Sequence, residues 1–243
     1  MTARMHSPSP QARARIAGVV YLIFFVTAIV GELFTQQAGI SGFGVSNDAA
    51  ATAKSILANE SSFQIGFALS LISIACYVAV TALFYQLLKP VSASLSLIAA
   101  FLSLMGQAVA ASGYVLQLAP LVLLKSSPYL SVFSPKQVQA LALMFLNMTA
   151  QVGNIALLFD GLFLLVIGYL IFRSTFLPRI LGGLVALAGV AWLTFLAPPL
   201  AKDLSTYVEV VGAVAEAALM LWLLVKGVNS QRWTEQAGSV KGR

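Results

Sequence analysis

The sequence has one cysteine, one histidine and very little charge, and each shortage closes a class of function. The lone cysteine, Cys76, sits inside an apolar stretch. It can form no intrachain disulfide and reads as a small buried hydrophobe. The lone histidine, His6, lies in the polar N-terminal stretch. Neither a haem held by two buried histidines nor a histidine-rich zinc site can be assembled from this chain. Charged residues make up 9% of the sequence, against about 25% for a soluble domain. No HExxH, GxSxG, Walker or dinucleotide-binding glycine pattern occurs. No basic patch is interleaved with aromatics, which argues against a nucleic-acid partner. We therefore assign no catalytic residue, metal ligand or cofactor, and prefer a non-enzymatic reading.

What the chain has in quantity is apolar sequence. It is 59% hydrophobic with mean hydropathy +0.91. Six stretches have the length of a bilayer span. They cover about 15–34, 63–88, 92–118, 150–173, 180–197 and 204–226. The first continues from Ile16 past Phe34, longer than a signal-peptide core and followed by no cleavage site, so it is read as a retained span. The expected fold is all-α: an integral membrane helical bundle with six transmembrane helices over residues 15–228. Residues 1–14 are expected to be a disordered tail and 229–243 a polar one, both cytoplasmic.

Orientation follows from counting lysine and arginine. With the N-terminus inside, Arg4, Arg13, Arg15, Lys89, Arg173, Arg179, Lys226, Arg232, Lys241 and Arg243 fall on the cytoplasmic side. Lys54, Lys125, Lys136 and Lys202 fall outside. The bias favours an N-in, C-in protein of the bacterial inner membrane. Trp233, just past the last span, fits an anchor at that interface.

Two connections are long. In 35–61, Asn47 or Asp48 is placed to cap a short helix through DAAATAKSILANE, with Ile56 and Leu57 resting on the membrane interface. In 119–133, the apolar piece after Pro120 is too short to span and is expected at the interface. The fourth helix then opens on Ser134 as N-cap, Pro135 at the first helical position and Gln137 at the third, a capping box. From Pro135 to Phe172 it would measure about 57 Å, against about 30 Å of hydrocarbon. It must project outward, tilt or break, with Gly153 the candidate break point.

Polar residues inside apolar sequence are the functional candidates. Helical rise places Asp160 about 18 Å from the cytoplasmic end of its helix and Glu216 about 17 Å from the outer start of its own, both near mid-membrane. A charge at that depth costs several kcal/mol unless paired, wetted or neutralised. Glu32 and Glu209 lie nearer the outer face. Asn147, Gln151 and Asn154 share one face of the fourth helix by their i, i+4, i+7 spacing. Gln107 sits in a band of small and polar residues on the third span, with Ser96, Ala99 or Ala100, Ser103, Gly106, Ala110 and Ala111, a surface that lets another helix approach closely. Ser70, Ser73 and Tyr77 could line a pocket in the second span. Asp160, Glu216, Asn154, Gln151, Gln107, Glu209 and Glu32 together form the candidate intramembrane polar site, for a small solute or a proton. The competing reading is a structural or regulatory subunit whose carboxylic acids hydrogen-bond across helices in a packed interior. The expected partner in either case is the lipid bilayer.

Several strings carry a family resemblance: RIAGVVYLIFF, DAAATAKSILANE, FYQLLKPVSASLSLIAAF, YLSVFSPKQVQALALMFL, GYLIFRSTFLPRILGG, FLAPPL and WLLVKGVN. Over roughly 13–233 the chain resembles the bacterial multi-spanning membrane proteins grouped as domain of unknown function 4386. The resemblance implies an integral membrane helical fold and transfers no reaction.

Overall fold

The computed structural model describes residues 9–41, 44–45, 48–125 and 131–241. In chain order the helices are α1 (Pro10–Gln37), α2 (Ala49–Ala58), α3 (Glu60–Leu88), α4 (Ala93–Leu124), α5 (Pro135–Arg173), α6 (Arg179–Leu193), α7 (Pro198–Val225) and α8 (Ser230–Lys241). A single 3₁₀ turn, Thr194–Leu196, follows α6. The only extended pairing among the described residues joins β1 (Ile40–Ser41) and β2 (Gly44–Val45), antiparallel. Six helices are long and apolar enough to cross a bilayer: α1, α3, α4, α5, α6 with its 3₁₀ turn, and α7 from Leu204. The protein is an all-α, multi-pass membrane protein.

Exposure along α4 runs opposite to that of a soluble helix. Ser96, Ala99, Ser103, Gly106, Gln107, Gly113 and Gln117 are buried, while Phe101 is 64% and Val115 is 69% exposed. Small and polar groups face other helices, where they pack closely, and the Ser103 hydroxyl bonds that of Thr81 at 2.6 Å. Large apolar side chains face outward, where lipid is the favourable solvent.

Several boundaries differ from the sequence reading, each for a physical reason. Helix α1 starts at Pro10, inside the stretch expected to be a tail, with proline at a helical start where its missing N–H costs nothing. Residues 1–8, Asn47 and the SSPYL segment lie outside the described residues. Asp48 caps α2, its Oδ1 accepting from the N–H groups of Ala50 and Ala51 at 3.0 Å each. The apolar piece after Pro120 is not a separate interfacial segment: it continues α4 to Leu124 with Pro120 inside the helix. Packed neighbours make that proline tolerable in a membrane helix. Ile56 is fully buried and does not rest on the interface, whereas Leu57 is exposed. Helix α5 runs unbroken through Gly153, and its capping box forms: Ser134 N–H donates to Gln137 Oε1 at 2.8 Å, and Gln137 N–H to Ser134 Oγ at 3.4 Å.

The chain divides into two compact units. Unit 1 comprises Met1–Leu22, Tyr77–Leu104 and Leu158–Arg243, and unit 2 comprises Ile23–Cys76 and Met105–Leu157. Glycine sets how closely unit 1 packs. A Cβ on Gly168 would fall 2.5 Å from Ala186 N and 2.7 Å from Gly182 O, and one on Gly182 2.5 Å from Phe172 N. Gly161 meets Gly189 in the same way, so α5 and α6 touch backbone to backbone along two matching glycine steps. Helix α6 thus packs through Gly182 and Gly189, whereas Gly183 faces open space.

The two ends of the chain are also tied together within unit 1. Helix α7 stops at Lys226, and Gly227 takes φ +67°, the left-handed cap conformation that favours glycine. The Gln11 side chain clamps this cap: its Nε2 donates to Lys226 O, and its Oε1 accepts from Val228 N–H, both at 2.9 Å. Helix α8 forms within the polar C-terminal stretch. Its Trp233 indole N–H donates to Leu87 O at 2.8 Å, satisfying one of the carbonyls that the end of α3 leaves open. Its Gln236 Oε1 accepts from Thr175 N–H at 3.0 Å, holding the turn between α5 and α6.

Unit 2 is closed at one end by the first long connection. Ala38, Ile40, Ile56, Phe63, Leu121 and Leu146 form one apolar cluster. It seats α2 and the β1–β2 pairing against α3, α4 and α5. At the same end Lys125 and Glu60 form an ion pair.

Candidate functional site

Unit 2 contains a partly open cavity of about 130 Å³. Helix α1 supplies Glu32 and Thr35, and Ile40 follows from β1. Helix α3 supplies Ser70, α4 supplies Gly113, Tyr114 and Gln117, and α5 supplies Leu146, Thr149, Ala150 and Gly153. Each α5 residue follows from helical periodicity, since 146, 149, 150 and 153 share one face. Gly153 matters most for the space itself. A Cβ there would meet nothing within 4 Å. A glycine inside a helix costs about 0.5–1 kcal/mol relative to alanine, and no close helix approach requires this one. Its effect is to leave the cavity open.

The polar lining is ordered by its own helices. Thr35 Oγ1 donates to Glu32 O at 2.9 Å, Ser70 Oγ to Gly66 O at 3.0 Å, and Thr149 Oγ1 to Phe145 O at 3.0 Å. The Glu32 carboxylate accepts from Gln36 Nε2 at 3.0 Å. Tyr114 shares a side-chain hydrogen bond with Ser70 and stands edge-on to Phe67, ring centroids 6.4 Å apart. Gln117 is buried.

Unit 1 holds a different polar cluster, packed in aromatic rings. The Tyr21 hydroxyl, on a side chain with no exposed surface, donates to Glu216 Oε2 at 2.5 Å. Trp192 is a second side-chain hydrogen-bond partner of Glu216. Gly212 makes room for its ring, because a Cβ there would fall 2.7 Å from Trp192 Cζ2. Tyr21 packs edge-to-face on Tyr77 at 6.1 Å and on Phe84 at 5.8 Å, and Tyr77 on Phe163 at 6.0 Å. Asp160 lies close enough to act electrostatically on both tyrosines.

The family known as domain of unknown function DUF4386 matches residues 16–227. The chain belongs to the DUF4386 family. No curated protein and no solved structure matches it. The family match spans the residues of both polar clusters, including Tyr21, Glu32, Asp160 and Glu216.

Within this DUF4386 chain the residues singled out from sequence fall in both units. Asp160 and Glu216 both act on the tyrosine pair of unit 1. Glu209, half-buried on α7, belongs to unit 1 as well. Glu32 lines the cavity of unit 2. Gln107 is buried in α4 and is not among the lining residues. Asn147 and Gln151 are exposed and Asn154 is half-buried, so their face is turned from the one that lines the cavity. Tyr21, Trp192, Thr35, Gln117 and Thr149 were not marked by sequence reasoning. Hydroxyls and aromatics are common in membrane helices, and only the rotation of each helix gives these a role. Among the described residues no cluster of histidine, cysteine, aspartate and glutamate has the arrangement of a metal site.

Proposed function

We propose that this DUF4386 protein binds a small polar solute in the cavity of unit 2, within a bacterial cytoplasmic membrane and with both termini in the cytoplasm. The observation that carries this reading is a partly open space, lined in part by Glu32, Thr35, Ser70, Tyr114, Gln117 and Thr149, among helices whose outer surface is apolar. A helix bundle that only needed to pack would fill such a space, since interiors leave few voids larger than a water molecule. The space suits a metabolite fragment, being smaller than the roughly 300–1,000 Å³ of a drug-sized pocket. It is close in size to the engineered 150 Å³ cavity that takes up benzene, here with polar groups set in a largely apolar wall. The alternative of a packed structural subunit draws its support from unit 1, where glycines bring backbones into contact and Glu216 is hydrogen-bonded to Tyr21 and Trp192.

The experiment is a thermal-unfolding screen of the purified protein against hydrophilic solutes of about six non-hydrogen atoms or fewer. A ligand at 100 times its Kd adds about 2.7 kcal/mol to stability. At least one solute should raise the melting temperature of the wild type and leave that of Gly153→Leu unchanged. If every solute acts alike on both proteins, the cavity is not a binding site.

The orientation has its own test, in a Cys76→Ala background. Ala49→Cys should react with an impermeant thiol reagent added outside whole cells, and Thr175→Cys should be protected. The reverse pattern would overturn the topology.

A further inference from the structure

We infer that unit 1 binds the headgroup of an anionic phospholipid in the groove between the α5–α6 turn and α8, independently of the solute cavity. The groove is open and holds about 730 Å³, within the roughly 300–1,000 Å³ of small-molecule sites. Arg179 enters it from the first turn of α6, and Arg232, Glu235 and Gln236 from α8. Both arginines are exposed, and among the described residues no carboxylate forms an ion pair with either. Arg232 gives one N–H to Thr175 O at 3.4 Å and keeps most of its five donors. Gln236 Oε1 accepts from both the N–H and the Oγ1 of Thr175, at 3.0 and 2.9 Å. That contact fixes the amide and leaves its Nε2 as a further donor. Two guanidinium forks and an amide N–H₂ are the donors that a phosphate takes, in part bidentately.

The rest of the lining selects among phosphates. Glu235 is its one carboxylate, with Gln231 Nε2 donating to it at 3.0 Å. Two arginines against one glutamate leave a single positive charge, which a phosphodiester with no other charged group matches. A zwitterionic headgroup brings its own ammonium and leaves that charge unbalanced. Ser174 and Ser239 also line the groove, and their hydroxyls donate to Ile171 O and Gln236 O, so they retain acceptor lone pairs. The hydroxyls of a phosphoglycerol headgroup supply the donors for them. What favours a lipid over free phosphate is the flank of the groove. Phe172 is 50% and Ile180 is 72% exposed, at the ends of two helices long and apolar enough to span the bilayer. The Arg179 guanidinium stands over the Phe172 ring, 5.8 Å from its centroid. An arginine placed so keeps its stem on apolar surface and its charge at headgroup level. A phosphate held there has its acyl chains beside exposed apolar side chains. Basic pockets at the ends of spanning helices hold anionic headgroups by this division of labour.

Native mass spectrometry of the full chain in a nonionic detergent tests this, with dioleoyl phosphatidylglycerol and dioleoyl phosphatidylcholine added separately. The first phosphatidylglycerol should bind at least tenfold more tightly than phosphatidylcholine. Arg179→Gln with Arg232→Gln should bring the two lipids level. Arg179→Gln alone replaces an exposed side chain and should weaken phosphatidylglycerol severalfold. The control is Arg15→Gln with Lys89→Gln, which removes the same charge from exposed positions of unit 1 outside the groove. It should leave the preference within twofold of the wild type. A large excess of inorganic phosphate should not displace the lipid. Equal binding of the two lipids to the wild type would overturn the proposal. So would an equal loss in the two double variants, which would mean attraction to the basic surface at large. Displacement by inorganic phosphate would overturn the lipid assignment in favour of a free phosphate.

Discussion

Gly168→Leu is expected to destabilise the protein by about 3 kcal/mol, lowering its melting temperature in detergent by about 10 °C. The first carbon of any side chain at 168 would sit 2.5 Å from Ala186 N and 2.7 Å from Gly182 O. Those are backbone atoms, so no side-chain rotamer can relieve the overlap, and α5 and α6 must move apart. Separation would also open the second step, where Gly161 faces Gly189. Membrane helices are held together by close packing and interhelical hydrogen bonds, with no hydrophobic gain between them to compensate. Gly183→Leu is the control, because a Cβ there meets nothing within 4 Å. It should melt within about 2 °C of the wild type. If the two variants melt together, backbone contact through Gly168 does not hold this pair of helices.

The second large effect concerns the bond between Tyr21 and Glu216. Tyr21→Phe removes the donor of the 2.5 Å bond and leaves Glu216 with one fewer partner. Glu216→Leu removes one acceptor from the buried Tyr21 hydroxyl, which keeps its side-chain hydrogen bond with Tyr77. Each should cost about 2 kcal/mol, the order of a buried polar group losing one of its hydrogen bonds. The double variant should cost less than the two together, by about 1–2 kcal/mol, because the bond between the two groups is lost only once. Equilibrium unfolding of the four proteins measures this coupling. Strict additivity would mean that the two groups do not stabilise one another.

Much of this fold is legible in the sequence because it depends on quantities that vary along one dimension. The six spans follow from hydropathy alone, and the start of α5 follows from Ser134, Pro135 and Gln137. The buried band of α4 is visible as small and polar residues at helical spacing. The site is harder to read, because it depends on how each helix is rotated against partners remote in sequence. Tyr21 and Glu216 are 195 positions apart. On α5 the amides of Asn147 and Gln151 are the conspicuous polar groups. The cavity is instead lined by the neighbouring face, with Thr149, Ala150 and Gly153. Gly153 and Gly161 look alike as letters, yet one borders open space and the other touches the Gly189 backbone. The same limit explains Ile56: an apolar residue in a short helix reads as interfacial until α2 folds onto Phe63, Leu121 and Leu146.

The central claim is that the space between Glu32, Ser70, Tyr114 and Gly153 is open to water and solute. Its most direct measurement is the reaction rate of Ala150→Cys, in a Cys76→Ala background, with a small methanethiosulfonate reagent. Val115→Cys is the comparison, because Val115 is among the most exposed apolar residues of α4 and faces lipid. A thiol reacts as its thiolate, and a lipid-facing thiol stays protonated. Ala150→Cys should react at least tenfold faster than Val115→Cys, and adding Gly153→Leu should remove the difference. Equal rates at 150 and 115, or a fast rate at 150 that Gly153→Leu does not slow, would contradict the account.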